Sequence, residues 1–110
     1  MPLPSFGGFA THVQMPAYWA FPIPSSIPQE LAPPLMCAGI TVFAPLKRYF
    51  GAHKEVGIIG IGGLGHLAIK FSSKLGMRTT AISHTADKEA EAKSYGAVDF
   101  INSSDSKQMN

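Results

Sequence analysis

A glycine-rich turn between an apolar run and a helical repeat is the feature that most restricts how this chain can fold. Residues 60–65 read Gly-Ile-Gly-Gly-Leu-Gly and match the pattern G-x-G-x-x-G. The apolar run EVGIIGI leads into this turn, and GLGHLAIKFSSKLG continues it with apolar residues at helical spacing. Because a short apolar run is typical of a buried parallel strand, the turn is predicted to join a strand to an amphipathic helix.

Strand and helix signals keep alternating up to residue 102. RTTAIS is rich in β-branched residues and predicts a second strand, and VDFI predicts a third. Between them, TADKEAEAKSYG predicts a helix that Thr85 caps and Gly96 ends. The predicted fold class is therefore α/β. Residues 51–102 would form half of a doubly wound parallel (Rossmann) sheet, β-α-β-α-β.

Proline divides the chain, because all nine prolines lie at or before Pro45. Residues 1–28 are predicted to form extended segments and turns, with FATHVQM as a candidate strand. Residues 29–50 show helical spacing interrupted by Pro33, Pro34 and Pro45. They are predicted to form a short helical turn and then a longer helix that is kinked or tightened near Pro45 and ended by Gly51. Residues 103–110 form a polar tail that is predicted to fray.

The composition argues against several classes of protein. Hydrophobic residues make up 45% of the chain and charged residues 15%, as in a globular protein. The net charge of +2 is spread along the chain, so no nucleic-acid-binding patch is expected. No apolar run is long enough for a membrane span, and no signal-peptide pattern is found. The single cysteine then favours a reducing, cytoplasmic location.

Each residue of the glycine turn has a physical role in a dinucleotide site. Gly60 permits the tight turn, Gly62 lets the backbone approach a pyrophosphate, and Gly65 lets the helix pack closely on the strand. The phosphates would lie at the positive N-terminus of the helix, where Gly63 and Leu64 are found. The alternative is a strand–helix turn that binds no ligand.

The end of the second predicted strand indicates which dinucleotide would bind. An NAD site usually has an acidic residue there to bind the ribose hydroxyls. Here the strand ends at Ser83, His84 and Thr85 follow, and Lys88 lies one helical turn later. The first acidic residue after the strand is Asp87. Hydroxyls, an imidazole and an ammonium suit the 2′-phosphate of NADP better than a diol. Alternatively, Thr85 only caps the helix and Lys88 is solvated.

Four segments follow one another in a characteristic order and spacing: GGFATHV, PLMCAGITVFAPLKRY, VGIIGIGGLGHLAIKF and DKEAEAKSYGAVDFI. Together they resemble the zinc-dependent medium-chain alcohol dehydrogenases, and most closely the cinnamyl-alcohol-dehydrogenase-like branch. The resemblance implies that residues 1–28 are a remnant of a barrel-like (GroES-like) catalytic domain. It also implies that residues 29–50 are a linking helix that carries a zinc-ligand cysteine.

The resemblance further implies reversible hydride transfer between a primary alcohol or aldehyde and a nicotinamide cofactor, assisted by zinc. Cys37 matches a ligand of that zinc, and Thr41 matches a position near the nicotinamide end of the cofactor. The glycines of the turn match the pyrophosphate loop. Ser83, His84 and Lys88 match the region that binds the 2′-phosphate, although many members have serine where His84 stands.

The residues that would complete a zinc site are not found in the sequence. As a bare residue, Cys37 reads as a small buried hydrophobe, and a nucleophilic role lacks an evident histidine partner. A catalytic zinc needs three protein ligands, and the family's other ligand segment is not found. The histidines lack paired ligand spacing and are expected to be surface or packing residues: His12, His53, His66 and His84. No catalytic residue is assigned, and this chain alone is not expected to hold zinc.

Three functional hypotheses follow. In the first, the chain is an internal segment of an NADP-dependent alcohol dehydrogenase and is not catalytically competent alone. In the second, it is a non-catalytic product that retains an adenosine-phosphate half-site. In the third, it is a structural subunit. The first strand would lie at an open edge of the sheet, so self-association through that edge is also expected.

Overall fold

The computed structural model describes residues 7–49 and 54–109. Its elements, in chain order, are the 3₁₀ turns Ala17–Trp19 and Gln29–Leu31, α1 (Ala32–Pro34), the π-helical segment Leu35–Gly39, α2 (Ile40–Tyr49), β1 (Glu55–Ile59), α3 (Gly63–Lys74), β2 (Arg78–Ser83), the 3₁₀ turn Ala86–Lys88, α4 (Glu89–Ser94) and β3 (Asp99–Asn102). The strands and helices predicted for the C-terminal half are present. Gly51, predicted to end the linking helix, lies outside the described residues.

The three strands form one parallel sheet in the order β1-β2-β3. Ile59 is level with Ile82 where β1 ends, and Ser83 is level with Asn102 where β2 ends. The carboxyl ends of the strands therefore lie together, at the end of the sheet where open α/β folds bind their ligands. This arrangement confirms the predicted α/β class.

Helices α3 and α4 pack on the sheet through small and branched side chains. Ile69 of α3, Ala81 of β2 and Ala92 of α4 are fully buried. They form one cluster with Ile61, which follows β1, and Ala97, which precedes β3. Because alanine side chains are short, the helices lie close to the strands, and the start of α3 is held near the end of β1.

A second cluster attaches α2 to the sheet. Leu46 of α2 packs with Val56 and Met77, and all three side chains are buried. Phe43 and Phe71 meet edge to face, with 5.7 Å between ring centroids. Aromatic pairs in this arrangement add about 0.5–1.5 kcal/mol beyond the area they bury. The helical segment that contains Cys37 is thereby attached to α3.

The linking helix departs from α-helical geometry directly after Pro33 and Pro34. Pro45 lies inside α2, whereas the departure from α-helical geometry is the π-helical segment Leu35–Gly39. Gly39 is buried, and a Cβ at this residue would lie 3.3 Å from the Cβ of Leu35. The missing side chain at Gly39 therefore makes room for the wider π-helical turn.

The predicted strand at FATHVQM does not form. Residues 9–15 lie in bends and coil instead. Phe9 is fully exposed, and Trp19 is 61% exposed. A strand needs a neighbour for its hydrogen bonds, and the described residues provide none there. This exposed segment is one reason why the radius of gyration is 17.8 Å, against about 13 Å for a compact domain of this length. Within the described ranges, no helix is long and apolar enough to cross a membrane.

A buried hydroxyl pair links α3 to β2. Ser72 and Thr79 are both fully buried, and their hydroxyl oxygens lie 2.7 Å apart. The Ser72 hydroxyl also lies 3.0 Å from the Ile69 carbonyl oxygen, to which it can donate. Buried polar groups destabilise a fold when they lose their partner, so each hydroxyl depends on the other.

Removing both members of this pair is expected to destabilise the fold by less than the sum of the two single removals. Ser72→Ala and Thr79→Val should each lower the free energy of unfolding by about 1–3 kcal/mol, because the remaining hydroxyl loses a partner. The double variant should lose less than the sum of the two, as measured by urea denaturation in a double-mutant cycle. Ser94→Ala, at an exposed serine, is the control. Additive losses would contradict the pairing.

Candidate dinucleotide-binding site

Two backbone contacts close the glycine turn. Gly60 has a φ of +87°, a conformation that glycine adopts without strain, and its N–H donates to the Ile82 carbonyl at 2.9 Å. A Cβ at Gly65 would overlap the carbonyl oxygen of Gly60. Only glycine fits at residue 65, and the first turn of α3 lies directly against the end of β1.

The middle of the turn leaves open space where a ligand could lie. A Cβ at Gly62 or Gly63 would meet nothing within 4 Å, so the packing of the chain does not require glycine at either residue. Gly62 precedes α3 in an extended conformation, and no side chain caps the helix there. The first N–H groups of a helix carry partial positive charge and attract phosphates. The turn therefore fits the pyrophosphate of a dinucleotide.

His66, in the first turn of α3, contacts the glycine turn, although it was predicted only as a surface or packing residue. Its N–H donates to the Gly62 carbonyl at 3.0 Å, and its ring nitrogen Nδ1 lies 3.1 Å from the same oxygen. The ring also lies against Tyr95, with centroids 5.5 Å apart. His66 thus anchors Gly62 from the helix side. Its position four residues after Gly62 is the signal that could have indicated this contact.

Lys88 joins the end of β2 to the glycine turn. Its ammonium nitrogen Nζ donates to the Ile61 carbonyl at 3.0 Å, and the side chain is partly buried. Lys88 is therefore not simply solvated, which was the alternative to a phosphate-binding role. The structure brings it and the glycine turn together across 27 residues of sequence.

The other residues predicted at this end of β2 differ in exposure. Ser83 is buried, with 7% of its surface exposed, whereas His84 is exposed. Thr85 precedes the 3₁₀ turn, but its side chain makes no capping hydrogen bond, contrary to prediction. Interaction with its hydroxyl is the largest cause of the lowered pKa of the Asp87 carboxyl. Because the pKa is lowered, Asp87 stays ionised at neutral pH.

The polar tail, predicted to fray, is hydrogen-bonded to the end of the sheet. The Ser103 N–H donates to the Ser83 carbonyl, and the Ser104 hydroxyl donates to the His84 carbonyl, both at 2.8 Å. The side-chain oxygen of Gln108 accepts from the Asn102 N–H at 2.9 Å. The sequence pattern missed these residues because a polar run after a strand has no periodic signal that indicates a long-range contact.

The described residues do not assemble a zinc site around Cys37. Cys37 lies in the π-helical segment and is exposed, as is Thr41 on α2. Over residues 7–49 and 54–109, no three side chains of the ligating types converge. His53 lies outside the described residues. A catalytic zinc needs three protein ligands, so the residues described do not fit that metal.

Comparison with curated proteins gives relatives along most of the chain. "Probable cinnamyl alcohol dehydrogenase 1" of Oryza sativa subsp. japonica is 44% identical over 106 residues, which is 94% of this chain. The 8-hydroxygeraniol dehydrogenase of Catharanthus roseus is 39% identical over 109 residues, which is 96% of this chain. In both cases the chain spans 30% of the relative's length. No protein-family model matches the chain.

Solved structures agree with these relatives. A cinnamyl alcohol dehydrogenase of Sorghum bicolor matches 79% of this chain with a TM-score of 0.75 and 43% identity. The CAD of Helicobacter pylori, complexed with NADP(H), matches 68% with a TM-score of 0.61 and 35% identity. The match covers 26% of the first structure and 22% of the second. In sequence and in fold, the chain therefore corresponds to one segment of the cinnamyl-alcohol-dehydrogenase-like alcohol dehydrogenases, which confirms the resemblance carried by its motifs.

Proposed function

We propose that this chain is the part of an alcohol dehydrogenase that binds the adenosine and pyrophosphate portions of NADP. One arrangement carries the proposal, and it has two features. The glycine turn leaves open space at Gly62, and Lys88 connects that turn to the end of β2. A dinucleotide needs both features, because its phosphates and its adenosine ribose lie at the ends of neighbouring strands. The pyrophosphate is assigned to Gly60, Gly62, Gly63, Leu64 and Gly65.

The groups at the end of β2 favour NADP over NAD. Ser83, His84, Thr85 and Lys88 supply hydroxyls, an imidazole and an ammonium, all of which can donate hydrogen bonds to a 2′-phosphate. Asp87 is the first acidic residue after the strand, and its carboxylate interacts with Thr85 and Lys88. A carboxylate with these partners is a poorer acceptor for a ribose diol.

We further propose that the whole protein transfers hydride between NADP and a primary alcohol or aldehyde. The cofactor supplies or accepts the hydride, and this chain binds and orients its adenosine side. Relatives named as cinnamyl alcohol, formaldehyde and 8-hydroxygeraniol dehydrogenases support small alcohols and aldehydes as the substrate class. Thr41 is assigned to the nicotinamide end and Cys37 to a zinc site whose other ligands lie outside the described residues.

The 110 residues by themselves are proposed to lack turnover. Hydride transfer requires the nicotinamide and the substrate to be held within about 3–3.5 Å in a fixed orientation. Among the described residues no ligating cluster forms around Cys37, which favours a second candidate function, a non-catalytic product that retains the adenosine-phosphate half-site. The two candidates share the nucleotide site and differ in whether catalytic residues join it.

Self-association through β1 is also proposed. Among the described strands β1 has a neighbour on one side only, and Ile59 at its end is 83% exposed. An open strand edge beside exposed apolar surface favours pairing with another chain. The cytoplasmic location stays a prediction from the sequence.

Nucleotide binding tests the preference for NADP. By calorimetry, adenosine 2′,5′-bisphosphate should bind this chain at least about tenfold more tightly than 5′-AMP, because hydrogen bonds to charged groups contribute about 1.5–3 kcal/mol. Equal affinities would overturn the assignment of the 2′-phosphate site. Absence of binding by both ligands would overturn the proposed nucleotide site altogether.

Gly62→Ala separates a ligand-binding role from a folding role. The extended φ of −126° suits any residue and the added Cβ meets open space, so the free energy of unfolding should stay within about 0.5 kcal/mol of the parent. NADP affinity should fall at least about tenfold, because the methyl group occupies space assigned to the pyrophosphate. Gly57→Ala, in β1, is the matched control. Unchanged NADP affinity in Gly62→Ala would argue for a turn without a ligand.

An activity assay with metal analysis distinguishes the whole-protein function from that of the isolated chain. We expect no NADPH-dependent reduction of an aromatic aldehyde by the 110 residues, because the described residues do not hold zinc or fix the nicotinamide. Turnover accompanied by stoichiometric zinc in the same sample would show that the chain is catalytically complete.

A further inference from the structure

The peptide that joins Ile61 to Gly62 is held by a side chain from a distant part of the chain. Lys88, in the 3₁₀ turn after β2, donates from its ammonium nitrogen to the Ile61 carbonyl at 3.0 Å. The Ile61 side chain is buried, with 7% of its surface exposed. The residue is thus fixed at its side chain by packing and at its carbonyl by Lys88.

This hydrogen bond also determines where the next N–H points. In a planar trans peptide, the C=O of one residue and the N–H of the following residue point in opposite directions. Fixing the Ile61 carbonyl toward Lys88 therefore directs the Gly62 N–H away from Lys88. Glycine permits a wide range of φ, so without this contact the peptide has little local resistance to rotation.

The charge of Lys88 acts on the same peptide. A carbonyl that accepts a hydrogen bond from an ammonium is polarised, and hydrogen-bonded groups in series strengthen one another. The Gly62 N–H then becomes a stronger donor. The carbonyl of Gly62 accepts a hydrogen bond from the N–H of His66 at 3.0 Å. Both peptides flanking Gly62 thus have defined orientations.

From this geometry we propose that Lys88 is a positioning residue for the pyrophosphate subsite, in addition to its assignment at the 2′-phosphate. Its ammonium holds the Ile61–Gly62 peptide so that the Gly62 N–H is available to a phosphate of the dinucleotide. The inference rests on the proposed nucleotide site. It implies that Lys88 contributes to the binding of nucleotides that have no 2′-phosphate at all.

Two ligands that differ only in the 2′-phosphate test this role. Lys88→Met should weaken the binding of ADP-ribose, which lacks the 2′-phosphate, on the order of fivefold. The reason is that affinity falls in proportion to the fraction of molecules whose glycine turn has the binding-competent orientation. It should weaken 2′-phospho-ADP-ribose by a larger factor. Lys93→Met is the matched control, since Lys93 is exposed and pairs with Glu89; it should change neither affinity.

A measurement without ligand separates positioning from general destabilisation. In the free 110-residue chain, the Gly62 amide resonance should shift in Lys88→Met and return toward its parent position in Lys88→Arg, which keeps a charged donor. The Gly76 amide, outside the turn, should stay in place in both variants. Lys88→Arg should also recover part of the ADP-ribose affinity.

The outcomes distinguish this inference from the proposed function. If Lys88→Met loses affinity only for 2′-phospho-ADP-ribose and the Gly62 amide does not shift, Lys88 is a phosphate ligand alone and the inference is wrong, while the proposed function stands. If the parent chain binds neither ligand, the proposed function fails. A shift of the Gly62 amide with weakened ADP-ribose binding supports both.

Discussion

The contact between Gly65 and the Gly60 carbonyl is the constraint on which the candidate site depends. Because no Cβ fits between them, α3 begins directly at the end of β1, and its first N–H groups face the carboxyl end of the sheet. A bulkier residue would push the helix away from the strand. The buried packing of Ile69 against Ala81 then holds the helix along the sheet.

The C-terminal half of the fold could be predicted because its local signals agree with its tertiary environment. RTTAIS forms β2 over the whole predicted segment, and the helical spacing after the glycine turn forms α3. The elements form where the pattern indicates, but burial follows the pattern only in part, because Leu64 is 50% exposed and Ile59 of β1 is 83% exposed. The N-terminal segment has no such agreement, since FATHVQM has no strand beside it among the described residues.

The contacts that complete the candidate site could not be predicted in this way. Lys88 reaches Ile61 across 27 residues, and Ser104 reaches the His84 carbonyl across 20. Neither residue type nor spacing indicates such contacts, because they arise only when the ends of neighbouring strands are brought together. Thr85 shows the converse error. Its position favours a helix cap, but its side chain makes no capping hydrogen bond, and interaction with its hydroxyl lowers the pKa of the Asp87 carboxyl two residues later.

Nucleotide binding and catalysis place different demands on a chain of this kind. Binding an adenosine phosphate needs groups from one turn and one strand end, and among the described residues Lys88 lies within hydrogen-bond distance of the glycine turn. Hydride transfer needs a metal, a substrate and a nicotinamide held at once by several elements. Cys37 has the right residue type for such a centre, but no ligating cluster forms around it within the described ranges. The proposed nucleotide site therefore needs fewer elements than the proposed catalytic centre, and binding of the nucleotide can be tested independently of the reaction.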